Sequence, residues 1–223
     1  MKIIEYASYD YSINETETLT NLTKSIELGA NSISVLPYSL NTIKNLEEKI
    51  KEKNIAVSCV IDFPYGLSDP KSRIFAASQI VKQKNSIQYL DIMLPTKIIS
   101  NRKYDKFREE IKNLVELCNE NYIEIRYILE YRVFSHEVLA KVCQILKESG
   151  LKTILPSSGM MIDNIDDNLI ACNFLTTKSN INTICTANIY TEKQVKSVKR
   201  NSELYGIRLF YLPSLELFNK ISI

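Results

Sequence analysis

Carboxylates and hydroxyls gather in this chain toward the ends of short apolar runs, where they could handle protons or hold a polar ligand. The residues are Glu5, Ser34, Asp62, Asp91, Glu130, Ser157 with Ser158, Cys185 with Thr186, and Tyr211. Four carboxylates converging on one site exceed what packing needs. The bland alternative is that some of them cap a following helix or face solvent. Glu5, Asp62, Asp91 and Glu130 could also offer oxygen ligands to a hard cation. Against that, Arg126 stands four residues before Glu130, on the same strand face, and would neutralise the cluster. No metal and no cofactor are therefore expected. No Ser-His-Asp arrangement can be assembled, because the sole histidine, His136, sits at a helix start and is expected on the surface. Five cysteines, at 59, 118, 143, 172 and 185, form no CxxC pair, which argues against zinc and for a reduced, cytoplasmic protein.

These residues need a scaffold, and the sequence supplies a regular one. Strands are expected at 3–7, 32–37, 56–63, 89–94, 124–131, 153–158, 182–187 and 207–212. Between them run helical patterns at 15–28, 39–53, 69–84, 101–121, 135–149, 163–172 and 191–204, with a short one after Pro213. Ser135 and Thr191 read as N-caps, and Gly29 and Gly150 as glycines that end helices. Eight alternating βα units predict a parallel sheet covered by helices. With 223 residues and no Pro/Gly/Ser-rich linker, they predict a single α/β domain over 1–223, a (β/α)8 TIM barrel. The competing open doubly wound sheet would need a glycine-rich turn after the first strand, and YASYDYS has no glycine. In a barrel, function belongs to the C-terminal mouth of the strands.

Composition excludes other classes. A net charge of +2, from 28 basic and 26 acidic residues, does not make a nucleic-acid footprint. A hydrophobic fraction of 45% is ordinary for a globular chain. MKIIEYASYDY lacks the apolar core of a signal peptide, and no run approaches the length of a membrane span. The expected partners are a small molecule at the barrel mouth and, for assembly, a homodimer, with neither nucleic acid nor membrane.

Several segments together resemble the deoxyribose-phosphate aldolase family, class I aldolases on a (β/α)8 barrel. Val60-Ile61-Asp62-Phe63-Pro64-Tyr65-Gly66 is similar to that family's V-I-G-F-P-x-G turn. The stretch from Gly29 to Tyr38 resembles its second strand, and Tyr89-Leu90-Asp91-Ile92-Met93 its fourth. Ile128-Leu129-Glu130 resembles I-I-E-T, and Ser157-Ser158-Gly159 resembles T-S-T-G. Their order and spacing cover nearly the whole chain. The resemblance implies a lyase acting on a 2-deoxyribose 5-phosphate class of substrate, through a Schiff base on a sixth-strand lysine. In V-K-T-S-T-G that lysine falls on Leu155, and a second family lysine falls on Ile184. An isobutyl group cannot form an imine. The family's strand-1 aspartate corresponds to Glu5 and its strand-2 cysteine to Ser34, while the strand-4 aspartate is kept as Asp91.

The family's phosphate-binding glycines are replaced as well: G-G-I-R-T corresponds to Ala187-Asn188-Ile189-Tyr190-Thr191, and G-x-S-S to Tyr211-Leu212-Pro213-Ser214. Candidate ligand-binding residues are therefore Ser34, Asp62, Ser157, Ser158, Gly159, Thr186 and Ser214. Candidate catalytic residues are Asp91, Glu5, Arg126 and Glu130. Lys97 is the best-placed substitute amine, although an exposed lysine titrates near ~10.4 and is rarely nucleophilic at neutral pH. Two readings follow. The chain is an aldolase-like protein without the usual imine chemistry, or it is a degenerate barrel that binds a small molecule or a protein. In either, Asp91 lacks the lysines expected around it and should pair with Arg126 inside the barrel.

Overall fold

The computed structural model describes residues 1–83, 87–161 and 164–222. The strands are β1 (Ile3–Ser8), β2 (Ser32–Val35), β3 (Ala56–Ile61), β4 (Tyr89–Met93), β5 (Glu124–Ile128), β6 (Thr153–Leu155), β7 (Asn182–Thr186) and β8 (Gly206–Leu209). The helices are α1 (Glu15–Glu27), α2 (Leu40–Lys44), α3 (Glu47–Lys53), α4 (Pro70–Lys82), α5 (Thr96–Ser100), α6 (Tyr104–Asn119), α7 (His136–Glu148), α8 (Ile165–Ser179), α9 (Glu192–Arg200) and α10 (Leu212–Lys220). All eight strands are parallel, each beside its sequence neighbours, and β1 pairs with β8 to close the barrel. This is the (β/α)8 architecture that the alternation predicts.

Strand alternation divides the apolar residues into two cores. Outward residues such as Tyr6, Ile33, Leu90, Tyr127 and Ile207 pack beneath the helices. Inward residues Ile3, Ala7, Val60, Met93, Ile128, Leu155 and Ile184 form a second cluster along the axis. Local signals set the helix ends. Ser135 accepts from Val138 N at 3.4 Å, and Thr191 forms a capping box with Gln194. Gly29 and Gly150 follow α1 and α7 with φ of 95° and 79°, a conformation that glycine adopts without a Cβ penalty.

Boundaries differ from the sequence pattern where turn geometry intervenes. The strand expected over 32–37 ends at Val35, since a 3-10 turn starts at Pro37. The 124–131 strand stops at Ile128, just before Glu130 takes φ 47°. The 39–53 pattern splits into α2 and α3, while the helix expected over 101–121 is α6 and starts only at Tyr104, after Arg102 at φ 54° ends the separate short helix α5 that precedes the expected range. α8 runs on to Ser179, beyond the expected 172, until Asn180 caps it in the left-handed region. The expected helix limits at 84 and 163 fall outside the described residues.

Candidate functional site

Inward positions of five strands build a polar layer in the middle of the barrel: Glu5 on β1, Ser32 and Ser34 on β2, Ser58 on β3, Asp91 on β4 and Arg126 on β5. β4–β5 register sets Asp91 directly beside Arg126. Arg126 grips Asp91 with two donors, Nε to Oδ1 at 2.6 Å and Nη2 to Oδ2 at 3.0 Å, and Nη2 also reaches Glu5 Oε1 at 3.0 Å. The expected pair is present. Sequence reasoning missed a second arginine: Arg208 of β8 donates from Nε to Glu5 Oε2 at 2.5 Å and from Nη2 to Asp91. All four groups are buried.

Burial by itself would raise the carboxyl pKa values of Glu5 and Asp91. The two guanidinium charges together outweigh it and hold both below their ordinary range. The same carboxylates outweigh burial at Arg126 and Arg208 and keep them firmly charged. A hydroxyl chain extends the layer upward. Arg208 Nη1 donates to Tyr9 Oη at 3.0 Å, and Tyr9 shares a hydrogen bond of 2.5 Å with Ser34. Ser58 Oγ lies 2.5 Å from Ser34 Oγ and 3.1 Å from Asp91 Oδ2. Ser32 completes the coordination of Glu5 at 2.8 Å. The layer is charge-balanced, two cations against two anions.

Around and above it the axis is closed by apolar side chains. Leu155 and Ile184, where the family resemblance expects lysines, are fully buried in the apolar axial cluster. Tyr9 rests on Phe63 and Phe210, with ring centroids 4.6 and 5.7 Å away, and these rings cover the cluster. Phe210 also presses on Gly159, where a Cβ would stand 2.2 Å from its ring. Among the described residues no lysine is buried, and Lys97, the best-placed substitute, is exposed on α5.

Other candidates are committed to local structure. Asp62, expected at the mouth, is salt-bridged to Arg73 of α4 and accepts from Ser68 Oγ at 2.7 Å. The turn after β3, with Asp62 at φ 58°, carries it into that network. Tyr211 does not end a strand at the mouth: it is the N-cap residue of α10 and half-exposed, because β8 stops at Leu209 and its inward parity is 206, 208 and 210. Cys185 lies on the outer face of β7 in the helix-covered core, and burial adds to the neighbouring Cys172 thiol in raising its pKa well above the ordinary range. Glu130 is buried and accepts from Ser158 N, and burial raises its pKa despite that bond. Ser157 donates to Asn168 at 2.8 Å, and Thr186 Oγ1 to Ile184 O at 3.3 Å. No group of three or more His, Cys, Asp or Glu side chains converges as a metal would require among the described residues. Nor is any described helix long and apolar enough to cross a membrane.

Several backbone donors near the mouth are also occupied, which matters for any anion. Ile189 N donates to Ser214 Oγ at 3.2 Å, and that hydroxyl donates in turn to Ile189 O at 2.8 Å. Phe210 N is taken by Asn188 Oδ1 at 3.0 Å, and Tyr190 N and Thr191 N both by Gln194 Oε1. Met160 N is held by Ser158 Oγ at 3.1 Å.

A closed barrel of eight parallel strands with a polar layer on its axis defines a TIM-barrel protein. No family model matches the chain. A curated deoxyribose-phosphate aldolase of Aquifex aeolicus (strain VF5) is 30% identical over 159 residues, covering 71% of this chain and 68% of that protein. One from Thermococcus kodakarensis is 25% identical over 138 residues, 61% of this chain and 59% of the relative, which is under two thirds of its length. Among solved structures, "QR15, an Aldolase" superposes with a TM-score of 0.79 at 23% identity, over 98% of this chain and 93% of that one. The chain belongs to the deoxyribose-phosphate aldolase family.

Proposed function

We propose that this protein is a family member from which imine-based aldol chemistry has been lost, and that its barrel binds rather than cleaves. One observation carries the reading: Leu155 and Ile184 occupy both expected amine positions and are sealed beneath Tyr9, Phe63 and Phe210. A class I aldolase needs an uncharged amine open to its carbonyl substrate, and nothing of that kind lies on the axis among the described residues. Asp91 and Glu5 are equally unfit as proton carriers, since two arginines stabilise their ionised forms. The internal pairing of Ser158, Ile189, Tyr190, Thr191 and Phe210 N–H groups supports weak affinity for sugar phosphates. Five free, buried thiols support residence in a reducing compartment such as the cytoplasm.

The test is reductive trapping. Incubation with acetaldehyde or 2-deoxyribose 5-phosphate and borohydride should leave the mass unchanged. A stoichiometric adduct, mapped to Lys97 or any other lysine, would restore the aldolase reading.

A further inference from the structure

Beside the sealed axis a cleft of about 540 Å³ opens between the loop after β1 and the loop entering α10, with α1 as its side wall. Aromatic side chains dominate it: Tyr6, Tyr9, Tyr11, Phe210 and Tyr211. Tyr11 is 87% and Tyr211 52% exposed, so two of these rings have surface left to cover. The volume lies within the roughly 300–1,000 Å³ range of small-molecule sites.

The electrostatics of the lining select the ligand. Asp10 contributes a fixed anion: Ser12 donates to Oδ1 from its hydroxyl at 2.6 Å and its backbone at 2.8 Å, and these bonds hold the carboxyl below its ordinary range. Tyr6 stays a neutral phenol, pushed to about 12 by burial and, secondarily, by the charge of Asp10. Lys24 of α1 is the opposing charge in the lining. It acts on Glu216 of α10, whose carboxyl is lowered chiefly by Lys220 and further by Lys24. The lining thus presents five aromatic rings beside the Asp10 carboxylate, with Lys24 on the α1 wall within electrostatic range of Glu216. Ring faces carry negative quadrupole density and attract weakly hydrated cations, best when a carboxylate adds to the field. A phosphate would find Asp10 repulsive and the nearby Phe210 N–H already taken by Asn188.

We propose that this cleft binds an organic ammonium ion, of the quaternary or alkylated amine class. The site is separate from the axial position of the family's lysines, and the proposal does not depend on whether aldol chemistry is absent.

Choline and its uncharged carbon isostere 3,3-dimethylbutan-1-ol separate charge from shape. Titrated by calorimetry into the full chain, choline should saturate at millimolar concentration and the isostere should bind at least about tenfold more weakly, the signature of a cation–π site. Asp10→Asn and Tyr211→Ala, both at exposed positions, should each weaken choline about fivefold or more with the thermal midpoint unchanged. Tetramethylammonium should compete with choline. Equal affinity for choline and the isostere, Asp10→Asn binding as tightly as the parent, or no saturation by choline would each overturn the proposal.

Discussion

Two arginine clusters are buried on opposite faces of the same sheet. Inside the barrel, Arg126 and Arg208 face Glu5 and Asp91, cation for anion. Outside it, beneath α4 and α6, Arg73 alone faces two carboxylates, Asp62 and Glu110, and also donates to Met93 O at 2.5 Å. Burial is common to both places, yet the carboxyls respond oppositely. Glu5 and Asp91 are lowered, whereas at Glu110 burial outweighs the single arginine and raises the pKa. The charge count therefore decides protonation here, more than depth does.

The most damaging way to break the balance is to remove an inner arginine. Arg126→Met or Arg208→Met should each cost about 3–5 kcal/mol in urea unfolding at pH 7, because a buried carboxylate loses its partner. A loss below ~1 kcal/mol would mean that the inner pairs are not energetically coupled. Either variant leaves one cation against two carboxylates, the outer arrangement, so the freed carboxyl should also rise in pKa.

Arg73→Met comes next, at about 2–3 kcal/mol at pH 7, since Asp62 keeps its Ser68 bonds and Glu110 can take up a proton. Part of that loss should return at pH 5. A loss that is the same at both pH values would show that Glu110 does not absorb the imbalance.

The pH dependence of the parent protein separates the clusters by sign. Glu5 and Asp91 have lowered folded values, so their stabilisation is complete above the ordinary 4.5 and 3.8 and disappears as pH falls through the folded values. Glu110 is raised, so its contribution is complete below 4.5 and is lost as pH climbs through the folded value. Denaturant titrations from pH 3 to 8 should show a steep acid limb that Asp91→Asn flattens and a shallow decline above 4.5 that Glu110→Gln removes. The smallest effect expected is that of Glu110→Gln itself, under about 1 kcal/mol at neutral pH, while Glu5→Gln costs several times more. Equal costs would erase the distinction between the two clusters.

Much of this was legible along the chain. Period-2 runs between charged helical stretches define eight βα units, and Asp91 and Arg126 could be paired because the family resemblance implies that both face inward on neighbouring strands. Arg208 was not recovered. IRLFYL is apolar on both faces, as a doubly buried parallel strand must be, so its alternation does not say which parity points inward. Pairing of Gly206 with Ile3 settles that phase: it turns Arg208 and Phe210 toward the axis and leaves Tyr211 to cap α10. The one available signal was an arginine inside an apolar strand, which requires an anion nearby. The pairing of Asp62 with Arg73 went unread for a related reason, since its left-handed turn and that partner belong to the strand end and a helix that follows it.

The sequence by itself determined the order of strands and helices, the caps that bound α7 and α9, and the apolar side chains of Leu155 and Ile184 at the positions where the family resemblance expects lysines. These follow from local periodicity and from residue chemistry that no fold can alter. Only the tertiary structure decided that the mouth is closed by Tyr9, Phe63 and Phe210, that the inner charges balance two against two, and that an aromatic cleft opens beside the axis. Each joins residues far apart in the chain, such as Glu5 and Arg208, and barrel closure with a fixed β1–β8 register is what brings them within bonding distance.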